Sequence, residues 1–436
     1  MRDDSQGAER VQRYMNRELA EGAAAHRERI REAAASQVQK HLAAMKALSR
    51  PKAMEYFDSM ADPFGPRAEE LRKFKEAGGK VVGSLCYFVP AEIPAAFGAV
   101  LVRFCSGVYE AVHPANDLLG DAGLCPLVKS TLGLKMSGAS PILELCDLVI
   151  VPTPCDAKLK LGEILQDMVD VHIMNMPAVK ATEAGRQSWI SEIRGLVAAL
   201  EKRFGQRLRP QMLKKSIQTY QRAQAAWRRF AQLRKNGAIW GRDALLVAQL
   251  TFFDDIARWT QNVERLCDEL EGRPPVAPDA ARILLGGSPI VWPNWKVPLL
   301  IEESGGIIIA DELCSGSRTM HDPVVVEEWT MDGMLVALAE RHMMPCTCPS
   351  FSPNLEREQN MLGRIRDFGA EGVVFHVLRG CHLNSLDATK AAKTLRERRI
   401  PMLKVESEYD EGDLEQVRTR IEAFVEMIKA RRESCG

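Results

Sequence analysis

Eleven cysteines in a chain of 436 residues are the most chemically suggestive feature of this sequence. Thiolates hold zinc ions and iron–sulfur clusters, whereas an unligated buried thiol packs as a small hydrophobe. Position helps to separate these uses. Cys155, in Val151-Pro-Thr-Pro-Cys-Asp156, lies just past a β-branched run at 147–151. Cys314, in Asp311-Glu-Leu-Cys-Ser-Gly316, follows a second run at 306–310. Cys381, in Leu378-Arg-Gly-Cys-His382, follows a third at 372–377. The carboxyl ends of parallel strands are where open α/β sheets build their sites. The helices that follow such strands present N-termini that favour an anionic group, and a thiolate-bound cluster is one.

Cys346 and Cys348 form Pro345-Cys-Thr-Cys-Pro349, where the flanking prolines exclude a helix interior. In extended chain, side chains two residues apart point the same way, so both sulfurs can face one inorganic core. Cys125 sits in the loop Gly123-Leu-Cys-Pro-Leu127, with Pro126 at a helix start. These six thiols come from scattered segments, unlike the two close pairs of a zinc ribbon. Six exceed the demand of one cubane, and two bridged cubanes with three thiolates each would use them all. From composition and spacing alone, an iron–sulfur site, a zinc site and buried structural thiols all stay open. The other cysteines read as structural. Cys86, Cys105 and Cys146 lie in or beside apolar strand segments, Cys267 lies on a helix and Cys435 in the tail.

Several other chemistries lack their motifs. No Gly-x-x-x-x-Gly-Lys-Ser/Thr loop, Gly-x-Gly-x-x-Gly turn, Gly-x-Ser-x-Gly elbow or His-Glu-x-x-His pair occurs. Lys+Arg and Asp+Glu number 58 each, so the chain lacks the basic footprint of a nucleic-acid binder. No uncharged apolar run is long enough to span a bilayer. The start, MRDDSQGAER, has no apolar core, so no secretory signal is read. An odd cysteine count without an export signal places the chain in the cytoplasm with mostly reduced thiols.

The elements that must position the cysteines alternate. Strand candidates are Lys80–Val89, Ala99–Phe104, Asp147–Val151, Val171–Met176, Ala281–Gly286, Gly306–Ala310, Gly372–Val377 and Pro401–Val405. Helices are expected at 331–342, 354–368, 386–397 and 413–430. Trp189, Ile190, Ile193, Leu196 and Leu200 form an apolar helical stripe within a helical stretch from 186 to 272. Residues 1–78 are rich in Ala, Glu, Arg, Lys and Gln, with Val11, Met15 and Leu19 spaced by four and breaks at Pro51, Pro63 and Pro66. The expectation is two doubly wound α/β domains with parallel, Rossmann- or flavodoxin-like sheets, at 79–185 and 279–436. A helical N-terminal arm at 1–78 precedes them, and a helical connector at 186–278 joins them.

From about residue 80 onward the sequence resembles the superfamily of 2-hydroxyacyl-CoA dehydratases and benzoyl-CoA reductases. The resemblance is carried by Tyr87-Phe-Val-Pro-Ala-Glu-Ile-Pro-Ala-Ala96, by Gly123–Ser130, by Pro154-Cys-Asp156 and by Phe368-Gly-Ala-Glu-Gly-Val-Val374 leading into Cys381. The segments 398–406 and 416–426 carry it most specifically. Within the superfamily the chain is most similar to the double-cubane cluster proteins, because Cys314-Ser-Gly316 and Cys346-Thr-Cys348 add to the three cysteines that match a single-cluster dehydratase, Cys125, Cys155 and Cys381. The resemblance implies an [8Fe–9S] double cubane, two [4Fe–4S] units bridged by sulfide. It implies a homodimer acting on a small-molecule substrate. It also implies a separate ATP-hydrolysing activator with its own [4Fe–4S] cluster, in agreement with the missing P-loop. Two alternatives stand beside this reading: a single-[4Fe–4S] dehydratase component, and a non-catalytic electron carrier. Asp156 and His382 are candidates to support the ligands from behind. Glu92, a carboxylate in an apolar motif, is either a buried proton donor or an ion-paired or capping group.

Overall fold

A computed structural model describes residues 17–120, 123–343 and 347–435. Val11, Met15 and Cys346 lie outside these residues, as does the side chain of Leu19. Eight strands form two four-stranded sheets, and every pairing is parallel. The first sheet contains β1 (Lys80–Ser84), β2 (Ala99–Arg103), β3 (Leu148–Pro152) and β4 (Val171–Met174), in the order β2-β1-β3-β4. The second contains β5 (Ala281–Gly287), β6 (Gly306–Asp311), β7 (Gly372–Leu378) and β8 (Met402–Ser407), in the order β6-β5-β7-β8. The two sheets therefore repeat one winding, in which the strand order reverses beside the first strand. A reversal of this kind leaves a crevice at the carboxyl edge. Strands β3, β6 and β7 are buried throughout, which accounts for their Val- and Ile-rich sequences.

The expected doubly wound α/β architecture is present in both halves, and helices cover the sheets. The stripe from Trp189 to Leu200 is the buried face of the helix Glu183–Phe204. Thr182 caps that helix by accepting from the Gly185 amide. The helix Pro210–Arg234 begins with its proline in the first turn, where no amide partner is needed. Gly241–Leu250 and Ile256–Leu270 follow it, and the former is buried along its whole length. The N-terminal helix Arg27–Lys46 is pinned against the first half by Arg27 and Arg31, which donate to Ser137 O (2.9 Å) and Ala139 O (3.0 Å). Arg50 then donates to both Asp58 and Asp243, tying this arm to the helix Gly241–Leu250.

Two elements differ from the sequence expectation. The run from Lys80 to Val89 stops being strand at Ser84, whose hydroxyl turns back to the Cys86 carbonyl at 2.6 Å. The residues beyond it stay buried without belonging to the sheet. The helix expected at 386–397 begins earlier, at His382.

Candidate metal centre

Five cysteines leave the sheets at carboxyl ends. Cys86, Cys105 and Cys155 lie within three residues of the ends of β1, β2 and β3, and Cys314 and Cys381 follow β6 and β7 as closely. Both sheets point these ends at one region. Lys158 shows this convergence. Its ammonium donates to the Leu85 carbonyl at 2.9 Å, and that carbonyl also receives the Cys105 thiol at 3.6 Å. Burial opposes the lysine's charge, yet the sulfurs of Cys86, Cys105, Cys155 and Cys314 hold it well above the ordinary lysine range. No carboxylate pairs with Lys158 among the described residues.

Three of the cysteines share a further property. Cys125, Cys155 and Cys381 are each the residue that opens a helix: Pro126–Ser137, Asp156–Leu165 and His382–Glu397. Unsatisfied amides and the helix dipole give each of these positions a partial positive charge. The amides of Val128 and Lys158 act on the sulfurs of Cys125 and Cys155 and favour their ionised forms. Cys381 Sγ accepts from Asn384 Nδ2 at 3.2 Å. Burial nevertheless pushes the Cys125 thiol up to about 12, and charge on Cys381 and Cys155 adds to the shift. The Cys125 and Cys155 thiols, which burial holds against ionising, would ionise readily around a cationic core, releasing protons as it binds.

Cys314 faces a second group. Burial raises its thiol to about 12, and it feels the charges of Cys86 and Cys348. Arg357 joins the two loops that carry Cys314 and Cys348. It donates to the Thr347 carbonyl at 2.6 Å and to Glu312 Oε1 at 2.8 Å, with a third bond to Asp387 at 2.6 Å.

The supporting residues expected from sequence differ in setting. Glu92 is 1% exposed, and its Oε1 is buried without a hydrogen-bond partner. Burial raises its carboxyl above the usual range. Asp156 is exposed and accepts from the Ala157 amide at 2.8 Å, and His382 is exposed. Sequence reading did not single out Lys158, Arg103, Asn384 or Arg357. It took Cys86 and Cys105 as core thiols, because the apolar runs around them looked like continuous strand. The signal was their place beside the ends of β1 and β2.

The donor set suits an iron–sulfur cluster. It is made of thiols in an apolar setting, with fixed positive charge from one lysine and three helix ends. Among the described residues no three His, Cys, Asp or Glu side chains close on a single point, as the ligands of one bare ion would. Thiolates of a cubane bind separate irons and need no such point.

Comparison with known proteins agrees with this chemistry. A family model described as 2-hydroxyglutaryl-CoA dehydratase, D-component, matches residues 86–428. YjiM of Escherichia coli K12, named as a dehydratase subunit, is 31% identical over 369 residues, covering 81% of this chain and 93% of the relative. The beta subunit of (R)-2-hydroxyglutaryl-CoA dehydratase from Acidaminococcus fermentans is 24% identical, covering 82% of this chain and 95% of that relative. One of the benzoyl-CoA reductase subunits from Thauera aromatica is 23% identical, with coverages of 82% and 94%.

Proposed function

Since the chain belongs to the 2-hydroxyacyl-CoA dehydratase and benzoyl-CoA reductase superfamily, we propose that it is a cytoplasmic iron–sulfur redox enzyme carrying an [8Fe–9S] double cubane. In this reading Cys125, Cys155, Cys314, Cys346, Cys348 and Cys381 are the ligands, three thiolates to each [4Fe–4S] unit. The cluster would supply low-potential electrons to a small substrate. An ATP-hydrolysing activator with its own [4Fe–4S] cluster would charge it, and the chain would work as a homodimer. The observation that carries the reading is the convergence of three helix-opening cysteines beside Lys158 and a second cysteine group around Cys314.

The protein's own part is electrostatic and steric. The helix N-termini and Lys158 offset the negative charge of a thiolate-bound core in a region where water does not screen it. The Asn384 amide bond to Cys381 Sγ withdraws charge from that sulfur. Arg357 keeps the Cys314 and Cys348 loops at a fixed separation. Apolar side chains around the cysteines, among them Leu127, Val291 and Leu378, exclude water from them.

A second reading, a dehydratase component with one [4Fe–4S] unit, is supported by Cys125, Cys155 and Cys381 each opening a helix, since these three alone would supply three thiolates. Iron and acid-labile sulfide per chain on anaerobically purified protein separate the two. About eight irons support the double cubane and about four the single unit. Zinc without labile sulfide refutes both. Replacing Cys314 or Cys348 with alanine should remove about half the iron of a double cubane and none of a single unit.

A further inference from the structure

Next to the cysteines lies a cavity of about 290 Å³ that none of the described cysteines lines. Its polar walls include Glu92, Arg103, Tyr220, Gln224, Arg341 and His342, together with the carboxylates Asp254 and Asp255. Two cations face it, and neither has a salt bridge to a carboxylate among the described residues. Arg103, the last residue of β2, lays its guanidinium over the Phe252 ring at 4.6 Å, and among the described residues that group donates to no protein acceptor. Arg341 donates to two main-chain carbonyls, Asp322 O and Thr319 O, each at 2.7 Å. Its remaining nitrogen meets His342 Nε2 at 3.1 Å, while His342 Nδ1 lies 2.9 Å from the Leu338 carbonyl. That pairing makes His342 a neutral acceptor, so it does not cancel the arginine's charge.

The aspartates of its wall are already engaged. Asp254 pairs with Arg258, and Asp255 caps its own helix through the Arg258 amide at 2.8 Å. Glu92 is fully buried with Oε1 unpartnered, and burial raises its carboxyl above the usual range. Gln224 Nε2 is likewise buried and unpartnered. A guanidinium carries five donors, and leaving them unmet in a closed space is costly. Arg103, whose guanidinium has no protein acceptor among the described residues, and Arg341 stand beside an unpartnered amide N–H and a phenol, in a cavity whose aspartates are held by groups of their own.

We propose that this cavity is a binding site for a small carboxylate, gripped by Arg103 and Arg341 and completed by donors from Tyr220 and Gln224. Arg guanidinium groups match a carboxylate with paired hydrogen bonds. The volume sits at the lower limit of pockets that hold drug-sized ligands, so a short-chain or aromatic acid fits. Arg103 also feels the sulfurs of Cys105, Cys86 and Cys314 from its other side. One residue therefore borders both the ligand and the cysteines. As a substrate site the cavity rests on the redox-enzyme reading above; as an anion site it rests on the cavity alone.

The test is calorimetric titration of the anaerobically purified full chain with acetate, propionate and benzoate, and with the neutral amides of the same acids. Iron and labile sulfide are measured on every sample. One carboxylate should bind saturably at one per chain, and its amide at least tenfold more weakly. Arg341→Met and Arg103→Met should each weaken carboxylate binding tenfold or more with iron content unchanged. If Arg103→Met loses iron, Arg341→Met decides, since the hydrogen bonds of Arg341 go to Asp322, Thr319 and His342 and to no cysteine. Amides binding as well as acids, no acid binding at all, or acid binding unaffected by Arg341→Met would each overturn the proposal. Carboxylate binding by a protein that never holds iron would refute the cluster reading and leave the anion site standing.

Discussion

Replacing Gly380 with alanine should pull Cys125 and Cys381 apart while leaving both in the chain. Gly380 precedes Cys381 and has φ of +76°, and a Cβ there would lie 2.6 Å from Gly123 O, 2.9 Å from Leu124 C and 3.0 Å from Cys125 N. Two costs follow. An L-residue in the left-handed region costs roughly 1–2 kcal/mol. Non-bonded carbon contacts sit at about 3.5–4.0 Å, so the two loops must part by about 1 Å, and overpacking of this kind costs roughly 1–3 kcal/mol. The total, roughly 2–5 kcal/mol, is a large part of a typical folding free energy but need not abolish folding. Metal–ligand distances tolerate only about 0.2 Å, so a separation of about 1 Å at the backbone reaches the cluster. Gly205→Ala is the control, because Gly205 has φ of +61° with nothing within 4 Å of its Cβ position. It should lower stability by the conformational cost alone and leave iron unchanged. The assay pairs a denaturant midpoint with iron per chain. Gly380→Ala should lose the iron of one [4Fe–4S] unit and destabilise more than the control. Full iron, with a midpoint no lower than that of Gly205→Ala, would refute the idea that the Gly380 contact brings these two cysteines together.

Lys158→Met should leave a cluster harder to reduce, because the ammonium stabilises the more negative state. Unit charges about 8 Å apart interact by roughly 2 kcal/mol at an effective dielectric of about 20, or roughly 90 mV for one electron; a redox titration showing no negative shift, with iron retained, would contradict this role. Stability should also fall with acid. Burial lowers His41 to about 4, His342 to about 3 and His376 to about 4, so the unfolded chain takes up protons first as pH drops below about 6.5. At about pH 5 each histidine then costs roughly 2 kcal/mol relative to about pH 7, and the contribution is lost progressively down to the folded values. An unfolding midpoint unchanged between about pH 7 and about pH 5 would show that these histidines are not held neutral by the fold.

The central strands were the most legible, because β3, β6 and β7 are apolar runs buried throughout, and such runs leave an unbroken apolar signal. Their ends were less legible. Leu85 to Val89 is as apolar as β1 itself, yet the chain leaves the sheet at Ser84 and packs those residues into the core instead. That misreading hid Cys86. The same habit hid Cys105, two residues past β2. The short helix Lys296–Glu303 was also invisible, since Pro298 in its first turn reads as a break although proline is tolerated there. Cys155, Cys314 and Cys381 were found because a turn residue, Pro or Gly, or an acidic pair separates each from its strand.

Spacing along the chain also could not reveal which charges face the cysteines. Lys158 reads as one lysine in an amphipathic helix, and Arg103 as the polar end of a strand. Their roles depend on two sheets meeting at their carboxyl ends, a contact between residues as distant as Lys158 and Cys314. The repeated winding explains why the meeting is productive. Each sheet reverses its strand order beside its first strand, and each reversal opens a crevice at the carboxyl edge. Two crevices placed edge to edge can be lined with thiols from both halves, which a single doubly wound sheet cannot supply. A cluster ligated from both sides would then couple the halves, and its assembly should raise the stability of the whole chain rather than of one half.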